Sequence, residues 1–510
     1  MLDVLKIDYC PPAPRPPERR LGFLELLTTL ARNPIECWSA EFFQEPIAKV
    51  GLPFVEAVLV HEPAAIKRVL LDNAGNYRKD PIQRRILSNG LEDGLLSVEG
   101  PRWEVQRRAL APLFAKRTVN SFAQSMLVAA NELAANWQRL GPDAVIDAAA
   151  EMGLVTLNVL ALTIFSDGIG EDAEGFRLAM NAYFGGIGKI GALDLLGVPA
   201  WVPRPGQARV SRAMAYFEGV IDDLIEARRR RLADAPPGRA PEDLLTLLLR
   251  ALDPSTGQRM SLAEVRSNIL TFLSAGHETT ANTLAWSLFL LSQSPQWRSQ
   301  IQEEVDRELG AREEGLADRL VVTRAVLEEA LRLYPPIAAL SRQAVESDDL
   351  GNIPVKRGSL IVISPYVLHR HRLWWDRPDV FDPSRSHGRQ AKRDWALCLH
   401  AVWYWIPDLH WRRLRSAGGD HHPRHADASF RSGSAAGCGG LAGTTRDPAA
   451  EHAADAVIPA SCGMSREQRG SRLRIELGVP IEIIEPAIVQ IVRREQSAVA
   501  MQLMHGRREG

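Results

Sequence analysis

At the centre of a long apolar stretch lies the sequence Ala275-Gly276-His277-Glu278-Thr279-Thr280. Inside a helix, glycine costs about 1 kcal/mol relative to alanine, and buried polar groups are costly unless they are paired. A threonine here can turn its hydroxyl onto the carbonyl four residues back and open the helix locally. The combination favours a chemical role, and a core helix with satisfied hydroxyls is the alternative.

The limits of this helix follow from its flanking residues. Ser261 and Glu264 have the spacing of a capping box, which predicts that the helix begins there. Apolar positions then continue to Leu291. A helix of this length would be roughly 48 Å long, enough to cross a whole domain.

Composition excludes several classes of protein. The chain has 510 residues, 45% of them hydrophobic, and a formal net charge of −1. It is therefore expected to be globular and to bind no nucleic acid. Its five cysteines are unevenly spaced, so no disulfide framework is expected. This favours a protein of the reducing cytoplasm. We expect no membrane anchor, because no apolar run approaches the length of a membrane span.

The chain divides into three parts. Residues 1–20 form a proline-rich leader, and residues 21–392 form a mainly α-helical body with a small β component near 54–60 and 359–363. The string from Gly186 to Gly191 matches a dinucleotide fingerprint, but it follows a helical segment, so a nucleotide site is not expected. Helices are predicted at Ile66–Leu71, Pro101–Leu113, Val119–Leu140, Val210–Leu232, Ser261–Ser292 and Val322–Leu333.

The third part, residues 393–510, has an aberrant composition. Four tryptophans fall between Trp395 and Trp411, and beyond them Phe430 is the only aromatic residue. No lysine follows Lys392. Such a segment buries too little apolar surface to offset its ordering entropy, so an irregular tail is expected.

Two further helical motifs pair a charged residue with a partner one turn away. Trp103 and Arg107 lie four residues apart, so one helix face offers an indole N–H and a guanidinium that suit a carboxylate. Alone, the pair could equally be a core tryptophan beside a surface arginine. Glu329 and Arg332 are three apart, the spacing of an ordinary helix salt bridge.

Together these motifs resemble the cytochrome P450 family over about residues 20–390. The resemblance rests on Gly100-x-x-Trp103-x-x-x-Arg107-Arg108 with Pro112 and Phe114, on Ala275–Thr280, on Glu329-x-x-Arg332, and on Arg342, His369-Arg370 and Phe381–Arg385. It implies a P450 fold and a haem b cofactor. The implied reaction activates O₂ and inserts one oxygen atom into an apolar organic substrate. Electrons would come from a separate ferredoxin-type or flavoprotein-type partner.

The resemblance also implies roles for individual residues. Thr279, with Ala275, Gly276 and Glu278, would handle dioxygen and relay protons. Trp103, Arg107 and Arg342 would hold the haem propionates. Glu329, Arg332 and Arg385 would form a buried ion network on the proximal side. Substrate contacts would come from residues 75–95 and 170–215, with Phe184 and Trp201 as pocket walls.

One family motif is absent. A P450 should continue with FGxGxRxCxG, whose cysteine thiolate ligates the iron, and no such string occurs. Cys398, Cys438 and Cys462 lie in unrelated contexts, so no axial metal ligand is assigned to them. His421, His422 and His425 suggest a metal cluster only weakly.

A displaced reading frame would explain the gap. Tryptophan has the single codon TGG, which becomes a glycine codon, GGN, when read one base later. Trp403, Trp405 and Trp411 then supply the three glycines of the missing loop, and residues 400–411 can read MPFGTGFRTCIG. Residues 440–448 can likewise read VWPVQRVTL, which resembles a P450 C-terminal hairpin. We therefore expect a frame shift between Ser386 and Trp395.

A chain without its thiolate loop is expected to bind little haem and to lack monooxygenase activity. Three alternatives remain from the sequence. The first is an active enzyme with an unusual proximal ligand. The second is a non-catalytic helical binding or interaction protein, and the third is an unstable relic.

Overall fold

The computed structural model describes most of the chain up to Ser386. The described residues are 9–52, 55–81, 83–84, 91, 93–140, 144–166, 175–176, 178–180, 202, 207–236, 240–309, 319–386 and 474–476. The Gly186–Gly191 string, Phe184, Trp201, the cysteines after residue 390 and the histidine group at 421–425 lie outside these residues.

Helices dominate the described residues, as the sequence predicts. They are α1 (Phe23–Arg32), α2 (Pro63–Lys67), α3 (Gly100–Leu110), α4 (Lys116–Ser121), α5 (Ala123–Leu140), α6 (Ala148–Phe165), α7 (Gln207–Asp234), α8 (Leu244–Arg250), α9 (Leu262–Ser292), α10 (Pro295–Leu309), α11 (Val321–Leu333) and α12 (Pro365–Leu368). Short 3₁₀ turns occur at Pro34–Cys37, Ala40–Phe43, Ala74–Asn76, Ala111–Phe114 and Pro383–Ser386, and a π turn at Arg68–Asp72.

The long helix α9 begins where its capping signal predicts. The Ser261 backbone N–H donates to Glu264 Oε2 at 2.9 Å, and the Glu264 N–H donates back to Ser261 Oγ at 3.2 Å. Two of the first orphan N–H groups of the helix are thereby satisfied. The predicted start and the end at Ser292 are both confirmed.

The β component is larger than the two extended segments that the sequence indicates. The strands are β1 (Ile47–Gly51), β2 (Glu56–Val60), β3 (Tyr77–Lys79), β4 (Val145–Asp147), β5 (Leu340–Ala344), β6 (Asp348–Leu350), β7 (Ile353–Val355), β8 (Leu360–Ile363) and β9 (Arg474–Glu476). One sheet has the order β1-β2-β8-β5-β3, in which β2 and β8 are parallel and the other pairs antiparallel. The pairs β4–β9 and β6–β7 are antiparallel ribbons.

The main core forms where α6 crosses α9. Helix α6 is apolar and long enough to cross a bilayer, with a mean hydropathy of 1.7, but 61% of that stretch is buried within the fold. Its buried side chains, among them Met152, Val155 and Ile164, belong to the same cluster as Ile269, Phe272 and Leu284 of α9. Helix α6 therefore occupies the position of a core helix, and it supports the middle of α9.

The proline-rich leader also contacts the body. The Tyr334 hydroxyl donates to the Pro12 carbonyl at 2.8 Å, and the Phe381 N–H donates to the Tyr9 carbonyl at 2.9 Å. Tyr334 lies two residues after Arg332, and Phe381 lies two residues before the turn at Pro383–Ser386. The leader thus runs past the end of α11.

Candidate active site

The middle of α9 presents three of the predicted residues on one face. Ala275, Glu278 and Thr279 are half-buried, whereas the neighbouring Gly276 and Thr280 are buried. Positions three and four residues apart share one side of a helix. The Thr279 hydroxyl donates to the Ala275 carbonyl at 2.6 Å, so it bonds four residues back.

The same back-bonding occurs elsewhere on α9 without that exposure. Thr283 Oγ1 donates to the Thr279 carbonyl at 2.8 Å, and Ser287 Oγ donates to the Thr283 carbonyl at 2.7 Å. Both side chains are buried, at 1% and 4% exposure. The hydrogen bond alone therefore does not distinguish Thr279, but its half-buried position does, because its oxygen can still accept a hydrogen bond.

Helix α6 holds this part of α9 at two adjacent residues. A Cβ placed on Gly276 would lie 3.0 Å from Leu160 Cδ2, so glycine allows the two helices to approach closely. The next residue, His277, donates from Nε2 to the Gly153 carbonyl at 3.1 Å. Burial lowers the pKa of His277 to about 4, which keeps the imidazole neutral. The sequence motif did not single out His277, Gly153 or Leu160.

Trp103 and Arg107 meet on α3. The Arg107 guanidinium carbon lies 5.3 Å from the centre of the Trp103 ring, a cation–π distance. The adjacent Arg108 points elsewhere and makes a bidentate pair with the buried Asp253, at 2.8 and 2.9 Å. Arg108 thus supports the fold, and Arg107 is the arginine associated with the tryptophan.

Arg342 lies on β5 in register with Lys79 of β3. Burial lowers the pKa of Arg342 to about 10, an effect that the nearby Glu99 and Asp80 oppose. Desolvation and, secondarily, the Arg342 charge lower the pKa of Lys79 to about 7. Sequence reasoning missed Lys79, because the strand that carries it is only three residues long.

Glu329, Arg332 and Arg385 come together in the core. Arg332 donates to both oxygens of Glu329, at 2.8 and 2.7 Å, and the two side chains are 0% and 1% exposed. Arg385 Nε lies 3.4 Å from Glu329 Oε1, and the Asp382 N–H donates to the same oxygen at 2.9 Å. The carboxylate therefore has partners on two segments of the chain.

The remaining donors of Arg332 organise the segment before Ser386. They bond the carbonyls of His369, Pro378 and Val380 at 2.8, 2.6 and 2.9 Å. A buried charge is tolerated only when it is paired and its other hydrogen bonds are satisfied, as they are here. This guanidinium thus fixes the path of residues 369–380.

The donors described above suit a cofactor that bears carboxylates. Arg342 and Lys79 are partly desolvated and lie directly opposite each other in the β3–β5 register. Together with the Trp103–Arg107 pair they suit anionic groups. Neither described cysteine suits an axial thiolate. Cys10 is exposed near the N-terminus, and burial raises the pKa of the Cys37 thiol to about 12 while its Sγ donates to the Pro34 carbonyl.

The family model for "Cytochrome P450" matches residues 14–394 of this chain. The chain belongs to the cytochrome P450 family. The family implies a P450 fold, a haem b cofactor and monooxygenase chemistry, as the sequence resemblance predicted.

Relatives with named activities support this family. Over 371 residues the chain is 31% identical to a cyclooctat-9-en-7-ol 5-monooxygenase of Streptomyces melanosporofaciens, covering 71% of this chain and 77% of that protein. It is 30% identical to the cyclooctatin synthase of the same organism, covering 71% and 78% respectively. A bifunctional P450/NADPH–P450 reductase of Bacillus subtilis is 30% identical over 66% of this chain and 33% of its own length.

A solved structure shows the same fold. The haem domain of cytochrome P450DA superposes with a TM-score of 0.62 at 24% identity, covering 76% of this chain and 89% of that one.

Proposed function

We propose that the body of this chain, residues 21–392, is built to oxidise an apolar organic molecule with O₂. The observation that carries the proposal is the half-buried face of Ala275, Glu278 and Thr279 in the middle of a helix that is otherwise largely core. The monooxygenase named above acts on cyclooctat-9-en-7-ol, which makes a largely hydrocarbon ring system a reasonable substrate class here.

Each predicted residue has a proposed role at this site. Haem, when bound, supplies the one-electron chemistry that activates O₂. Thr279 accepts or passes a proton through its hydroxyl, and Glu278 delivers protons to the same face. Trp103, Arg107 and Arg342 hold the propionates, with Lys79 as a further cation. Glu329, Arg332 and Arg385 support the proximal side.

We also propose that the chain as written lacks its thiolate ligand and therefore its activity. The reading frame would leave the family pattern between Ser386 and Trp395, making residues 393–510 an out-of-frame segment. The end of the family match at residue 394 supports this proposal. The proposed electron donor is a separate ferredoxin-type or flavoprotein-type partner, and the proposed location is the cytoplasm.

The test compares two proteins, the chain as written and a chain whose residues after Ser386 follow the shifted frame. Carbon monoxide is added to each reduced protein and the difference spectrum is recorded. We expect a thiolate-type Soret band from the frame-restored protein and little bound haem in the chain as written.

A matched control replaces by serine the cysteine that the shifted frame places at position 409. That variant should lose the thiolate-type band. A thiolate-type band from the chain as written would overturn the proposed inactivity. A coding sequence whose shifted frame lacks the cysteine loop would overturn the frame shift.

A further inference from the structure

A small apolar cavity lies beside the middle of α9. The volume within which the centre of a water-sized sphere can move is about 30 Å³. Its walls come from α6, α8, α9 and the turns around α3 and α4, and they include Leu113, Val119, Leu160, Ile164 and Leu244. All five of these side chains are buried.

Among the described residues that line the cavity, the side chains offer at most one partner for a water molecule. Thr163 is the one wall residue with a polar side chain, and its hydroxyl donates to the Val159 carbonyl at 2.8 Å within its own helix. A water molecule needs two to four polar partners, and apolar cavities without them stay dry and bind apolar guests. The space corresponds to roughly two water-sized spheres, since one sphere needs about 10–15 Å³ by this measure. A guest that fits this space would be apolar and would have two or three heavy atoms.

The cavity adjoins the turn that carries the candidate oxygen chemistry. Gly276 forms part of its wall, and so does Phe272, which lies seven residues before Thr279 and hence on the same stripe of α9. Phe272 contacts Phe114 edge to face, with ring centres 5.3 Å apart. Phe114 is half-buried and Phe272 is buried, and both rings line the cavity.

We propose that this cavity is a docking site for dioxygen next to the Ala275–Thr279 turn. The inference rests on the proposed function for its choice of occupant, because O₂ is the apolar diatomic that the reaction consumes. Binding needs no haem, so it can be tested on the chain as written.

The test uses the paramagnetism of dissolved O₂. Methyl NMR spectra of the full-length protein are recorded under nitrogen and under oxygen pressure. The relaxation enhancement at Leu160 and Ile164 should exceed that at Leu290 severalfold. Leu290 is equally buried but belongs to a different cluster. Equal enhancement at the three residues would overturn the proposal.

Two matched substitutions test whether the cavity itself is responsible. Val119→Ile adds one methylene to the cavity wall and should remove most of the enhancement at Leu160. Val305→Ile makes the same change at a fully buried position in another cluster and should leave the enhancement intact. An unchanged enhancement in Val119→Ile would contradict the proposal.

Xenon binding gives a second readout if Val119→Ile folds poorly. The wild-type protein should shift the ¹²⁹Xe resonance in a saturable way, and Ile164→Phe should abolish the saturable part. Absence of saturable xenon binding by the wild-type protein would overturn the cavity as a site. Failure of the haem experiment would leave both of these readouts unaffected.

Discussion

Arg332 is the residue whose loss should cost the fold most. Replacing it with leucine leaves the Glu329 carboxylate buried without its bidentate partner and three backbone carbonyls without their donor. Breaking a buried pair in this way costs about 3–5 kcal/mol. Urea unfolding of Arg332→Leu should show a loss in this range.

The matched control is Arg229→Ala on α7. Glu226 and Arg229 have the same three-residue spacing as Glu329 and Arg332, but their side chains are 46% and 50% exposed. An exposed pair contributes about 0–1 kcal/mol, so this substitution should lower the free energy of unfolding by no more than about 1 kcal/mol. Equal losses in the two variants would show that burial does not set the strength of the Arg332 pair.

Thr279 and Thr283 separate a chemical from a structural role. Both hydroxyls bond four residues back, but only the Thr279 side chain is half-buried. In the frame-restored protein, Thr279→Ala should retain bound haem and lower the rate of product formation at least about tenfold, since positioned proton donors contribute 10²–10⁴-fold. Thr283→Ala should retain most of the rate. Loss of haem in Thr279→Ala would instead indicate a structural role.

His277 should make the protein sensitive to acid. Its pKa is about 4 in the folded protein and 6.5 when unperturbed, so between these values the unfolded chain binds the proton and the folded chain does not. Stability contributed by the neutral imidazole is therefore present above about pH 6.5 and is lost as the pH falls toward 4, by about 2 kcal/mol between pH 7 and pH 5.

The measurement compares urea unfolding of the wild type with that of His277→Gln across this pH range. The variant should lose less stability on acidification, because glutamine does not titrate. His61, whose burial lowers its pKa to about 3, and His371 remain in both proteins and shift both curves in the same direction. Parallel curves would contradict the role assigned to His277.

Among the elements, α9 was predictable because its signals are local. The capping box and the apolar run are both read within the segment itself, and the structure follows them. Strands β3 and β5 were not predicted. Strand β3, which carries Lys79, pairs with β5, which carries Arg342, and β5 also pairs with β8. These pairings join segments far apart in the chain, so no local sequence pattern reveals them.

In the candidate site, too, the features set by local spacing were predicted and the contacts between distant segments were not. The sequence alone indicated that Trp103 and Arg107 share a helix face, and that Glu329 and Arg332 do, because fixed spacing on a helix determines both. It did not indicate that α6 would contact Gly276 through Leu160, since that contact joins residues far apart in the chain. Burial of Lys79 depends equally on tertiary packing.

Gly276→Ala tests the contact between α6 and α9. Alanine gains about 1 kcal/mol in helix propensity, but its methyl group would meet Leu160 at 3.0 Å and require that side chain to shift. The net change in the free energy of unfolding should therefore be less than about 1 kcal/mol.

Gly219→Ala on α7 is the control, because nothing lies within 4 Å of the added methyl group there. That variant should gain roughly the full 1 kcal/mol, as measured by urea unfolding. A Leu160→Val background should restore the gain to Gly276→Ala. If the two glycine variants behave alike in the wild-type background, helix contact does not limit position 276.

For the whole molecule, the described body is held together up to its last turn. Phe381 is buried, and Val380, Asp382 and Arg385 all belong to the network around Glu329 and Arg332. Beyond Ser386, the described contribution to the fold is β9, which pairs with the three residues of β4. The buried network therefore places the stability of the body within the residues before 387.

Two truncations test this distribution. A chain ending at Lys392 should keep a cooperative thermal transition close to that of the full chain. A chain ending at Asp379 loses Phe381 and three partners of the network, Val380, Asp382 and Arg385, and its transition should fall by many degrees or disappear. A large loss of stability in the longer fragment would show that residues after 392 contribute to the fold.

The parallel pairing of β2 with β8 sets when the body can be completed during synthesis. Residues 57–59 of β2 pair with residues 360–362 of β8, which are synthesised about 300 residues later. The ribosome must therefore make nearly all of the body before the five-stranded sheet can form. Every strand of that sheet precedes codon 386. A frame shift after that codon would therefore leave the sequence of all five strands unchanged.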